Sequence, residues 1–230
     1  MELLSFVSLL GFLTGMRHAV EPDHVAAVST IVSLHHDPRR AARIGLAWGI
    51  GHALVLLLVG GVLLVLRLRL PGWFSTLAEL GVGVALIVLG ATSLRRALRE
   101  GRRGPVHLHA HRSGAHTHAG AIPHVHLGPF VLASRPLFFG MLHGLAGTGT
   151  LAAMVLASMP SLRSGLVYIT VFGAGSILGM TMLTGVLGMT LRNAARGARA
   201  RLLLQAGAGA MSLGLGAVWV WVSASGLLTG

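Results

Sequence analysis

The chain of 230 residues is 53% hydrophobic and only 10% charged, with a mean hydropathy of +0.77; a soluble domain carries about 25% charged residues, so an ordinary water-soluble fold is excluded and an integral membrane protein is expected. All 18 basic residues are arginine and the net charge is +12, a balance that in a soluble protein would suggest nucleic acid but here follows from arginine-rich loops on one membrane face, so no nucleic-acid partner is expected. The absence of cysteine excludes disulfides and thiolate metal sites.

Six apolar segments follow in order, at 3–34, 44–66, 77–94, 134–158, 166–191 and 202–225. The fold class they predict is an all-α integral membrane protein with six transmembrane helices, its partner the lipid bilayer. The start lacks the basic stretch and small-residue cleavage site of a removable signal peptide and is expected to stay as structure. The first segment is too long for one straight span: as a single helix it would reach about 48 Å across a hydrocarbon core of about 30 Å. Pro22 offers a break near its middle.

That segment carries "RHAVEPDH", Arg17 to His24. His18, Asp23 and His24 form H-x4-D-H. On an ideal helix Asp23 lies about 140° and His24 about 240° from His18, so they share no face of a straight helix and converge only if the backbone unwinds near Pro22. Two imidazoles and a carboxylate suit a divalent first-row metal such as Ni²⁺ or Co²⁺. A purely structural reading also fits part of the cluster: Arg17, Glu21 and His24, spaced i, i+4 and i+7, could form an internal ion network with Arg17–Glu21 as its pair. It leaves His18 and Asp23 unexplained, and ionisable groups inside a membrane are functional candidates by default.

The second segment adds His52 in "GIGHAL", and the fourth adds His143 in "GMLHGL". Either could be a hydrogen-bonded core histidine; together with His18 and His24 they point to a shared site. Glu79 opens the third segment as a candidate proton-coupling or interfacial carboxylate. Between the third and fourth segments, "HLHAHRSGAHTHAGAIPHVH" holds His107, His109, His111, His116, His118, His124 and His126 as H-x-H clusters. Alternate residues of an extended chain project to one side, so such clusters can chelate Ni²⁺, Co²⁺, Zn²⁺ or Cu²⁺ with little discrimination. The stretch reads as a metal buffer or sensor, or as a solvated linker. His35 and His36, at the first cytoplasmic turn, are expected to extend that surface.

The two halves resemble each other. "GMRHAVEPDHVAAVSTIVS" aligns with "GMLHGLAGTGTLAAMVLAS" at an offset of 125, "WGIGHALVLLLVGGVL" with "FGAGSILGMTMLTGVL" at 124, and "ELGVGVALIVLG" with "QAGAGAMSLGLG" at 126. His143 is thereby the counterpart of His18. Three spans per unit force the second unit to enter from the opposite face, which predicts two inverted three-helix repeats, 1–96 and 130–230, joined by the His-rich loop 97–129. Thirteen arginines fall in the loops after segments one, three and five, and Arg135 opens segment four on the same side, against three in the loops after segments two and four. This puts the His-rich loop in the cytoplasm and both termini outside, in a bacterial inner membrane.

"RHAVEPDH" resembles the signature of the nickel/cobalt transporter family, and more closely its six-span branch that includes urease-accessory permeases. "GIGHALV" and "GMLHGLAGTGTLAAM" resemble motifs of that family in the next span and in the second half. The resemblance implies that His18, Asp23 and His24 bind metal and that His52 assists. The chain departs from the family pattern with Glu21 where many members have aspartate, Pro22 where many have alanine, and Gly144, Leu145 and Ala146 where an acidic residue and threonines are common.

No nucleophile elbow, phosphate loop or zinc-hydrolase motif occurs, so neither an enzyme nor a resident cofactor is expected, and any transport is not driven by ATP hydrolysis in this chain. The leading expectation is a secondary permease for Ni²⁺ or Co²⁺ as substrate. The alternatives are a membrane accessory factor delivering nickel to urease or hydrogenase maturation, with a cytoplasmic metallochaperone as partner, and an exporter of another small ion.

Overall fold

The computed structural model describes residues 2–33, 37–102, 124–127, 130–159, 161–195 and 197–229. The chain runs α1 (Glu2–His18), α2 (Pro22–Val32), α3 (Pro38–Val55), a five-residue π turn (Leu56–Gly60), α4 (Gly61–Leu66), α5 (Gly72–Arg102), β1 (His124–Leu127), β2 (Phe130–Ala133), α6 (Ser134–Ser158), α7 (Leu162–Ala194) and α8 (Ala198–Thr229). The short antiparallel ribbon β1–β2, with His124 opposite Ala133 and Leu127 opposite Phe130, is the one departure from the all-α expectation among the described residues. A hairpin satisfies the backbone groups of a segment too short and too poor in helix formers to wind up alone.

The first apolar segment is broken as its proline suggests. Val20 N–H donates to Arg17 O at 3.0 Å and Glu21 N–H to His18 O at 3.1 Å, closing a tight turn at the end of α1. Glu21 is extended, with φ −63° and ψ 147°, as a residue before proline must be. Pro22 then takes the first position of α2, where its missing N–H is not needed. His18 therefore ends one helix and His24 sits in the first turn of the next.

Among the described residues, four helical stretches are long and apolar enough to cross a membrane: Pro38–Leu66 (α3 through α4), Gly72–Glu100 of α5, Leu162–Ala194 of α7 and Ala198–Leu227 of α8. Six were expected. α1, at 17 residues, and α6 are not among the four, and the division of the first segment leaves neither piece as long as a full span. Outward surfaces are apolar, with Leu58, Val62, Val65, Val88, Met182 and Trp221 all exposed, as lipid contact requires.

Inside, α3 packs on α7, α1 on α7, α6 on α3, and α5 on α8. The close approaches depend on glycine. A Cβ at Gly15 would overlap the carbonyl of Phe172, and one at Gly140 the carbonyl of Trp48. Hydroxyls tie the same seams: Ser176 Oγ donates to Gly15 O at 3.2 Å, Ser212 Oγ to Leu86 O at 3.1 Å, and Thr30 Oγ1 to Ala208 O at 2.9 Å. One buried apolar cluster gathers Ala26, Val28, Trp48, Val82, Leu86 and Met180, and a second gathers Leu56, Val155, Tyr168, Ile169 and Phe172. The polar cluster described next is set among these apolar side chains.

Candidate metal site

Four histidines from four helices converge. His18 (end of α1) and His24 (α2) have ring centres 4.7 Å apart; His52 (α3) lies 5.0 Å from His18 and 5.5 Å from His24; His143 (α6) lies 4.9 Å from His24. One donor atom each from His18, His24 and His52 can be chosen so that all three lie within 4.8 Å of one another. His24, His52 and His143 are buried, at 2%, 1% and 3% exposure.

The carboxylates stand beside the rings. Glu21 Oε1 accepts from His18 Nδ1 at 2.9 Å, and Asp23 Oδ1 accepts from His24 Nδ1 at 3.0 Å and from the His24 backbone N–H at 2.9 Å. Asp23 Oδ2 lies 3.9 Å from His143 Nε2, and His143 Nδ1 donates to Phe139 O at 3.0 Å. Glu21, Asp23 and His24 form a second group of three possible donors. The expected Arg17–Glu21 pair does not form: Glu21 turns to His18, and Arg17 is exposed with no ion pair among the described residues. The i, i+4 spacing that suggested it needs a continuous helix, and α1 ends at His18.

A cavity of about 280 Å³ opens onto this cluster, lined by His18, Glu21, Asp23, His24, Glu79 and His143, with Thr150, Trp219 and Ser223 among its walls. A volume of this size holds several waters at about 30 Å³ each. His52 lies behind the first row of rings. Trp48, fully buried, stacks on Phe139 at 6.0 Å and 15° and touches the His143 ring at 4.9 Å. On the other flank, Phe172 lies 5.4 Å from His18 and stacks on Tyr168 at 6.2 Å. Sequence reasoning missed these aromatic walls and the Phe139 carbonyl; a backbone oxygen carries no residue signature, and Trp48 and Phe172 read only as matched positions of the repeat.

The electrostatic logic of the cluster is incomplete without a ligand. His18 Nε2, His24 Nε2, His143 Nε2 and both nitrogens of His52 are buried with no hydrogen-bond partner among the described residues. Each such group costs about 1–3 kcal/mol. A dication bound among them would satisfy several at once, with Asp23, Glu21 and Glu79 nearby to balance its charge.

Of the remaining expected residues, His107, His109, His111, His116 and His118, with His35 and His36, lie outside the described residues. His124 and His126 fall on β1 two register positions apart, opposite Ala133 and Val131.

A helical membrane protein with buried, unsatisfied imidazoles gathered beside a cavity has the features of one that binds a transition metal within its membrane segments. Comparison with known families agrees: residues 4–229 match the NicO family, described as high-affinity nickel-transport protein. The chain belongs to that family, and nickel is its transported substrate rather than a resident cofactor. It is 35% identical over 199 residues to a urease accessory protein, UreH, of Bacillus sp. (strain TB-90), covering 86% of this chain and 82% of that one. It is 30% identical over 196 residues to a hydrogenase nickel incorporation protein, HupN, of Bradyrhizobium diazoefficiens, covering 74% of this chain and 51% of the relative. A high-affinity nickel transport protein of Cupriavidus necator is 30% identical over 115 residues, covering 44% and 33%. No solved structure matches the chain.

Proposed function

We propose that the protein is a secondary permease moving Ni²⁺ or Co²⁺ through six membrane segments arranged as two inverted three-helix units, 1–96 and 130–230, with the His-rich stretch 97–129 in the cytoplasm and both termini outside. His18, Asp23, His24, His52 and His143 form the polar step in the path, and Glu21 and Glu79 border it. The observation that carries this reading is the meeting of three imidazoles from separate helices within 4.8 Å, with unsatisfied nitrogens, in a chain of nickel-transport kin.

The inverted arrangement is supported by paired contacts. Gly15 meets Phe172 and Gly140 meets Trp48; Gly15 and Gly140 differ by 125 positions, and Trp48 and Phe172 by 124. Gly90 meets the carbonyl of Gly209 and Gly216 that of Gly83, again exchanged by an offset of 126. A two-fold relation between the units makes each contact recur with its partners swapped.

The test is accumulation of radiolabelled Ni²⁺ in cells and in proteoliposomes. His18→Ala is expected to lower uptake more than about tenfold, the low end of what loss of a ligand or its support removes, with the protein still in the membrane. Undiminished uptake would remove the histidine cluster from the path. The names of the relatives favour a second reading, delivery of nickel to urease or hydrogenase maturation through a cytoplasmic metallochaperone. Deleting residues 105–127 separates the two: a permease keeps its flux, whereas a delivery factor keeps flux and loses enzyme maturation.

A further inference from the structure

Three of the four clustered imidazoles are held in the same way. His18, His24 and His143 each have Nδ1 on an oxygen that can only accept: the Glu21 carboxylate, the Asp23 carboxylate and the Phe139 carbonyl, at 2.9, 3.0 and 3.0 Å. A hydrogen must therefore sit on each Nδ1, and in the neutral ring the lone pair is left on Nε2. Those three Nε2 atoms are buried without a hydrogen-bond partner among the described residues, as are both nitrogens of His52 and Trp48 Nε1. Glu21 is the most exposed of the group, at 47% of its side chain, while Asp23 at 16% is as covered as His18 at 17%, and His24 and His143 are buried at 2% and 1%. The triad of donors from His18, His24 and His52 closes without either carboxylate.

Resting on the transport reading above, we propose that Glu21 and Asp23 are positioning residues rather than ligands. They fix the rings of His18 and His24 with Nε2 facing the ion, as the Phe139 carbonyl does for His143, and the ion is held by the imidazole nitrogens of His18, His24 and His52. The carboxylates balance its charge at one remove. Oxygen-supported imidazoles of this kind are the common outer arrangement of metal-bound histidine. An all-nitrogen set accepts Ni²⁺, Co²⁺, Zn²⁺ and Cu²⁺ and discriminates against Mg²⁺, Ca²⁺ and Mn²⁺, which favour oxygen. Selectivity at this step would then come from the rings, and Glu21 and Asp23 would govern affinity without entering the coordination shell.

The test uses the purified full-length chain with the seven histidines from His107 to His126 replaced by asparagine, so that bound Co²⁺ reports the membrane site. X-ray absorption on the Co²⁺-loaded protein is expected to show imidazole scattering and no carboxylate oxygen in the parent. Asp23→Asn and Glu21→Gln retain an oxygen that accepts from Nδ1, and are expected to keep the imidazole count with affinity within about tenfold of the parent. Asp23→Ala and Glu21→Ala, which lose the acceptor, are expected to weaken binding by about 10–100-fold, the usual effect of removing such support. A carboxylate oxygen bound to Co²⁺ in the parent, or an asparagine variant as damaged as the alanine one, overturns the positioning role while leaving the transport reading intact. A parent that takes up no Co²⁺ overturns both.

Discussion

At residue scale, the protein keeps groups that harm its own stability. His52 is buried with neither ring nitrogen hydrogen-bonded among the described residues, and leaving such groups unpaired costs about 1–3 kcal/mol. His52→Leu, close in volume and wholly apolar, is therefore expected to raise the thermal midpoint of the metal-free protein in detergent, at about 2–4 °C per kcal/mol, while abolishing Ni²⁺ uptake. A lowered midpoint with uptake intact would mark His52 as a core residue. Glycine shows the opposite economy. Gly15 and Gly140 sit against carbonyls of neighbouring helices, whereas a Cβ at Gly61 meets nothing within 4 Å. Gly15→Val and Gly140→Val should each destabilise by about 1–3 kcal/mol or more through overpacking, and Gly61→Ala should be neutral or slightly stabilising. Melting curves of the three variants check this directly.

At the scale of elements, the broken first segment does the positioning. α1 leans on α7 and α2 on α8, so the two halves are anchored to different neighbours and the turn at Ala19–Glu21 is held from both sides. Pro22 occupies the first position of α2 and forfeits no hydrogen bond there. Pro22→Ala is thus expected to lower stability by only about 0.4–1 kcal/mol, mostly through the unfolded chain, and to keep uptake within a few-fold of the parent. If that variant lost transport, the proline itself and not the packing would be holding the break. The π turn at Leu56–Gly60 follows His52 by one turn, another local irregularity of the kind that gathers at functional sites.

At the scale of the molecule, the cavity walls come from parts of α5, α6 and α8 that approach the arginine-poor loops: Glu79 near the start of α5, Thr150 late in α6, Ser223 late in α8. In the proposed orientation, with the arginine-rich loops in the cytoplasm, the cavity is expected to face outward. The chain has no cysteine, so Thr150→Cys introduces a single reporter. A membrane-impermeant maleimide is expected to label it in intact cells, with Ni²⁺ slowing the reaction. Labelling only in inside-out vesicles would reverse the orientation. Trp48, stacked on Phe139, packs against the His143 ring, and neither aromatic is among the residues that line the cavity.

Much was legible without coordinates. Apolar run lengths placed the helices because hydrocarbon tolerates only internally bonded backbone, and the proline in an over-long segment placed its break. The H-x4-D-H spacing singled out His18 and His24, the repeat offset His143, and its place inside an apolar span His52, since polar groups in so apolar a chain stand out. Their partners did not show: Glu21 serves His18 and not Arg17, Asp23 braces the ring beside it, and a Phe139 carbonyl orients His143. Sequence alone determined which residues stand out as candidates for a function, because burial of an ionisable group has a known penalty. Only the tertiary structure decided which nitrogen of each ring is free and which oxygen holds it, because hydrogen bonds are set by angles and distances between helices that periodicity does not encode.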